Sequence, residues 1–170
     1  PYPKSFERSH LSTQVKDDLE KFEKNKINES LLENSVIAGR ITAIRGQGKM
    51  IFIDLKDYAG TIQVAAKEDV LKDLFQLIKL LDIGDIAGFE GKIFRTRRGE
   101  PSLEAEKVTI LTKSMRPLPD KWSGLKDVEK RYRQRYLDLI SSQDSFETAI
   151  NRTKIAVSYT HLTLPTTVIV

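Results

Sequence analysis

The residues able to do chemistry are few, and their spacing limits what they can do. Cysteine is absent and histidine occurs twice, at His10 and His161. That removes disulfides, thiolate metal sites, iron–sulfur clusters and cysteine nucleophiles. It also leaves no His pair at the short helical spacing a metal site needs. No nucleophile stands with a base in a recognisable pattern. Gly46-Gln47-Gly48-Lys49 resembles the end of a phosphate loop. However, Met50 stands where the Mg²⁺-binding Ser or Thr belongs, and Ala43 where the first Gly belongs. As a dinucleotide fingerprint it fails at Ile51, the third Gly position, so a hairpin turn is the better reading. Glu104 and Glu106 share one strand face, which suits a solvated edge better than a general acid–base pair.

Recognition by stacking has better material. Ile51, Ile53 and Leu55 alternate with Met50, Phe52 and Asp54, so Phe52 faces away from the apolar side. A large aromatic on a solvent face needs a partner, either a base or a covering terminal helix. Gln63 points the same way if a hairpin pairs around residues 57–60. Arg40, Arg45 and Lys49 lie close by in sequence, as do Lys92, Arg95, Arg97 and Arg98. Aromatic and basic side chains on one face are what single-stranded nucleic acid binds. Strict alternation puts Arg45 on the Ile41 face, so a bulge is required to bring it round.

The elements that must position these residues can be read from periodicity. Leu11, Val15, Leu19 and Phe22 predict a helix to about residue 24, with Ser12 as its cap. Residues 36–45, 50–56 and 61–66 predict three strands. Val70, Leu71, Leu74, Leu77, Ile78 and Leu81 predict one helix over 67–82. Residues 86–97 and 102–112 predict two more strands about an Arg98-Gly99 turn. Three strands, a helix and two strands, with no room for βαβ crossovers, point to a five-stranded oligonucleotide-binding (OB) barrel. A small α+β sandwich is the alternative. A Pro- and Gly-containing linker follows, then a helix over 127–140 with Val128, Tyr132, Tyr136, Leu139 and Ile140 on one side.

The chain has 170 residues, enough for one domain and an appendage, and a net charge of +4, which by itself argues for no partner. No apolar run reaches the ~18 residues of a membrane span and no signal peptide is visible. The lack of Cys fits a reducing cytoplasm. All 52 charged side chains precede residue 158. Residues 158–170 therefore read as a non-native tail, or else as a buried terminal strand. The expected divisions are a helical extension over 1–33, the barrel over 34–113, a linker with the start of a further domain over 114–157, and the tail over 158–170. A chain opening at Pro1 without Met reads as a fragment.

The stretch RPLPDKWSGLKDVEKRYRQRYLDLI, residues 116–140, resembles the linker between the two domains of class II lysyl-tRNA synthetases. YPKSF, VIAGRI, IFIDLKD, GTIQV and GDIAGFEGK upstream are similar to the same family, and the likeness covers about residues 1–156. The resemblance implies an N-terminal anticodon-binding domain with tRNA, the lysine acceptor, as partner. It implies that Phe52 stacks on the central anticodon base, that Gln63 and Glu100 read base edges, and that Arg45 assists them. Arg40, Lys49, Arg95, Arg97 and Arg98 are the expected phosphate contacts. In the family, ATP and Mg²⁺ serve a catalytic domain that follows the linker. This chain lacks those motifs, so it is expected to hold no cofactor and to be inactive alone. The full-length family enzyme is a homodimer. A monomer, or weak association through exposed apolar surface, is expected here, with no membrane partner.

Overall fold

Alternating inward and outward residues build five strands that curl on themselves. The structure is a computed structural model and describes residues 2–24, 34–46, 48–116, 118–119 and 125–163. It divides into two units, Pro1–Pro117 and Leu118–Val170. The first contains α1 (Ser12–Glu23), β1 (Ser35–Arg45), β2 (Met50–Lys56), β3 (Thr61–Lys67), α2 (Glu68–Leu71), α3 (Phe75–Lys79), β4 (Ile86–Arg95) and β5 (Pro101–Thr112). The second contains α4 (Val128–Arg133), α5 (Arg135–Ser141) and α6 (Gln143–Thr163).

The strands close in the order β1-β2-β3-β5-β4, the five-stranded barrel that the element order predicts. β3 and β5 run parallel; the other pairs are antiparallel. β1 serves two neighbours, pairing with β4 over residues 35–40 and with β2 over 40–45. Ile37, Ile41, Ile53, Leu55, Val64, Phe89 and Leu103 fill the interior. Val15 and Leu19 of α1 join this core, as do Leu71 of α2 and Phe75 and Ile78 of α3. Closure brings backbones very near at Gly91, beside a register shift between β4 and β5. A β-carbon there would lie 1.9 Å from the Glu104 carbonyl oxygen, so only glycine fits.

Ser12 does not cap α1 as its sequence position predicts. Leu11 holds the N-cap position and Ser12 is buried. The backbone N–H and hydroxyl of Ser12 donate to Oδ2 and Oδ1 of Asp57, each at 2.7 Å. Asp57 Oδ1 also accepts from the N–H groups of Ala59 and Gly60 at 2.8 Å. One carboxylate thus satisfies an orphan donor at the helix start and shapes the β2–β3 turn.

The single helix expected over 67–82 is broken. α2 ends in a 3₁₀ turn, Lys72–Leu74, before α3 begins. Lys72 has φ +50°, a conformation that turns the chain over the barrel end. The Glu68 N–H donates to the Lys49 carbonyl at 2.9 Å, anchoring α2 beside the β1–β2 turn. Phe75, which the apolar stripe leaves out, is fully buried.

The helix expected over 127–140 is also two helices, interrupted at Gln134. Seven residues along a straight helix separate two side chains by about 10 Å of rise. The interruption lets Arg131 Nε reach Asp138 Oδ1 at 3.0 Å, while Arg135 Nη1 meets Oδ2 at 2.7 Å. Asp138 is the buried residue there, whereas Val128, Tyr132 and Tyr136 are exposed. Residues 158–163 are helical within α6, so the strand alternative fails for them. The rest of the expected tail, 164–170, and linker residues 117 and 120–124 lie outside the described residues, as do 25–33. No helix among the described residues is long and apolar enough to cross a membrane.

Asp85, immediately before β4, is buried. It accepts from Lys113 Nζ at 2.6 Å, Ser114 N–H at 2.7 Å and Asp82 N–H at 2.8 Å. Burial works to raise the carboxyl pKa of Asp57, Asp85 and Asp138. Hydrogen bonds outweigh it and leave all three below the ordinary Asp value. A depressed folded-state pKa contributes stability above the unfolded pKa and loses it as pH falls through the folded one. Thermal melts should therefore change little between about pH 7 and about pH 5 and drop below about pH 4. Asp85→Asn should flatten that acid limb. Gly91→Ala should cost about 3 kcal/mol or more, read from urea melts.

Candidate nucleic-acid interface

Register decides which side chains share the outer face of β1, β2 and β3. Between Ile41 and Ala43 the β1–β2 pairing shifts by one residue. Ile41 opposes Leu55, Ala43 opposes Asp54, and Thr42 is the extra residue. The Thr42 hydroxyl donates to the Asp54 carbonyl at 3.1 Å. This bulge reverses the parity of β1, so Arg45 stands directly opposite Phe52. The bulge that sequence parity required is present at Thr42.

On the next strand Phe52 opposes Ala65 and Asp54 opposes Gln63. The methyl of Ala65 is small, and Phe52 remains partly exposed. Gln63 in turn opposes Ser102 of β5, whose hydroxyl donates to Gln63 Oε1 at 3.1 Å. That bond orients the amide and leaves its NH₂ free to donate outward. Ser102 also lies 3.4 Å from the Glu100 carbonyl. Glu100 ends the β4–β5 turn, which is held by Thr96 N–H to the Glu100 carbonyl at 3.0 Å and Gly99 N–H to the Thr96 carbonyl at 2.8 Å. Gly99 has φ +84°, which the turn requires. Glu100 itself is exposed. Arg45, Phe52 and Gln63 are therefore neighbours on adjoining strands, and Ser102 connects Gln63 to the Glu100 turn.

The expected phosphate contacts divide into two groups. Lys49, Arg97 and Arg98 are exposed on turns. Arg40 opposes Lys56, and its Nη1 donates to the Gly84 carbonyl at 2.9 Å. Arg95 makes a two-pronged pair with Glu23 of α1 at 2.7 and 2.9 Å and also donates to the Gly99 carbonyl. The Arg95 guanidinium holds the Glu23 carboxyl below its ordinary range, and Glu23 raises Arg95 in return. Arg40 and Arg95 thus carry bonds within the fold, although Arg95 is exposed as the turn cations are.

Three residues of this face escaped the sequence reading as functional groups. Asp54 accepts from Arg45 Nη2 at 2.5 Å. Its parity with Phe52 was visible, but not its pairing with Arg45. Ser102 carries no signal until β5 is known to lie parallel to β3. Phe94 opposes Ser102 from β4 and is partly exposed, and its parity with Lys92 was legible. No group of three His, Cys, Asp or Glu among the described residues could hold a metal ion. Ser102→Ala should cost about 1 kcal/mol or less in stability. It should weaken single-stranded RNA binding about three- to tenfold, as anisotropy titrations would read.

A family model described as an OB-fold nucleic acid binding domain matches residues 36–111. The chain is 49% identical over 157 residues to the lysine–tRNA ligases of Staphylococcus aureus strains Mu3 and Mu50, covering 91% of this chain and 32% of each relative. The strain N315 ligase matches to the same extent. The chain thus spans about a third of the length of the curated relatives it matches.

Proposed function

We propose, from the premise that residues 36–111 belong to the OB-fold nucleic acid binding domain family and that the chain is homologous to the N-terminal part of lysine–tRNA ligases, that this face reads the anticodon loop of a lysine-accepting tRNA. The observation that carries this reading is the Thr42 bulge. It sets Arg45 beside Phe52 on a face where a base can stack and be read at its edge.

The chemistry suits uracil, which offers an N3–H donor between two carbonyl acceptors. Phe52 supplies a stacking surface of sequence-tolerant affinity. Gln63, with its carbonyl end held by Ser102, presents NH₂ to a uracil carbonyl. Glu100 accepts from N3–H, and Arg45 donates to a carbonyl. Lys49, Arg97 and Arg98 meet the backbone at either end of the strands. A non-specific single-strand binder would want free cations along the groove, whereas Arg40 and Arg95 are committed within the fold. Lysine activation with ATP and Mg²⁺ is assigned to the longer ligase and not to these residues. The Gly46–Lys49 turn lacks the Ser or Thr that would meet Mg²⁺.

Phe52→Ala should weaken binding to a lysine-anticodon stem-loop by about 1–3 kcal/mol without unfolding the barrel. Scrambling the three anticodon bases should weaken wild-type binding as much or more. Equal affinity for both loops and for oligo-dT would return the chain to the class of non-specific binders.

A further inference from the structure

A carboxylate at the centre of a face meant for a polyanion calls for an explanation. Asp54 lies between Ala43 and Gln63 in the pairing of β1, β2 and β3, on the same side of β2 as Phe52. Its side chain is only 20% exposed, yet the Arg45 side chain that it holds is 57% exposed. The hold is therefore from behind. One guanidinium nitrogen meets Asp54 Oδ1, and the rest of the group faces solvent beside Phe52. A guanidinium has five N–H donors in a fixed fork, so one bond to Asp54 leaves several for another acceptor.

The pairing changes what Arg45 will bind. A free guanidinium favours phosphate, which is anionic and identical at every nucleotide. A guanidinium whose charge is already balanced has little net field and retains its directional donors. It is then better suited to a neutral carbonyl at a base edge. The neighbouring row repeats the arrangement, since Lys67 of β3 pairs with Glu104 of β5. Arg45 and Lys67 on the flat of the face are each matched by a carboxylate, while Lys49, Arg97 and Arg98 sit on turns.

We propose that Asp54 is a positioning and specificity-determining residue, which aims Arg45 at a base carbonyl next to Phe52 and withholds its charge from the phosphates. This rests on the anticodon reading above for its ligand, but its electrostatic half is testable on any single-stranded RNA.

The experiment titrates the whole chain and its Asp54→Asn variant against a lysine-anticodon stem-loop and the same loop with a scrambled anticodon, over a series of salt concentrations. The variant should bind the scrambled loop several-fold more tightly and lose about tenfold in discrimination. Its salt slope should steepen by about 0.7, the value of one added phosphate contact on a single strand. In an Arg45→Gln background Asp54→Asn should do neither, because the effect runs through Arg45. Unchanged discrimination and slope would overturn the proposal, and so would an effect that survives Arg45→Gln. If the wild-type chain binds both loops equally, the anticodon reading fails, and the salt slope alone decides for or against Asp54. Should Asp54→Asn unfold, Asp54→Thr, which suits a strand, replaces it with the same expected outcomes.

Discussion

Barrel closure through β1 is the constraint on which the remaining structure depends. A single strand must leave β4 and join β2 within eleven residues. It can do so only by bending, and the extra residue at Thr42 provides the bend. The same residue reverses which side chains face outward. Had the bulge been absent, Arg45 would point into the core opposite the wrong face of β2. The geometric requirement of closure and the chemistry of the face are met by one backbone irregularity. Gly91 answers the same requirement on the far side, where β4 comes within van der Waals limits of β5.

Carboxylates hold the junctions that closure creates. Asp57 joins the β2–β3 turn to the start of α1, and Asp85 joins the start of β4 to the end of β5 through Lys113 and Ser114. Asp138 performs a similar task in the helical unit. Each is stabilised in its ionised form by donors that exceed the cost of burial. Asp54, Asp82, Asp85, Glu90 and Glu104 stand opposite basic groups in the barrel, and Lys49, Arg97 and Arg98 are exposed on turns.

Much of the architecture was legible in the residue order. Alternation at Ile51, Ile53 and Leu55 sets β2 and its inner face without reference to anything distant, since successive side chains must oppose one another. The motif blocks that resemble lysyl-tRNA synthetases pointed to the family that the comparisons bear out. The helices fared less well. Lys72 and Gln134 interrupt runs whose apolar spacing was continuous. The break at Gln134 brings Arg131 of α4 onto the Asp138 carboxylate of α5, a contact that apolar spacing does not report.

Local sequence by itself determined the strands, their order, the outward aromatic at Phe52 and the candidate set around it. Pairing decided the rest. Only the tertiary structure could show that Ser102 orients Gln63, that Asp54 holds Arg45, and that Arg40 and Arg95 bond within the barrel. The reason is physical. Periodicity reports which side of its own strand a residue faces, whereas hydrogen bonds and ion pairs form between residues separated by 39 and 72 positions. Those partners meet only once the sheet has closed.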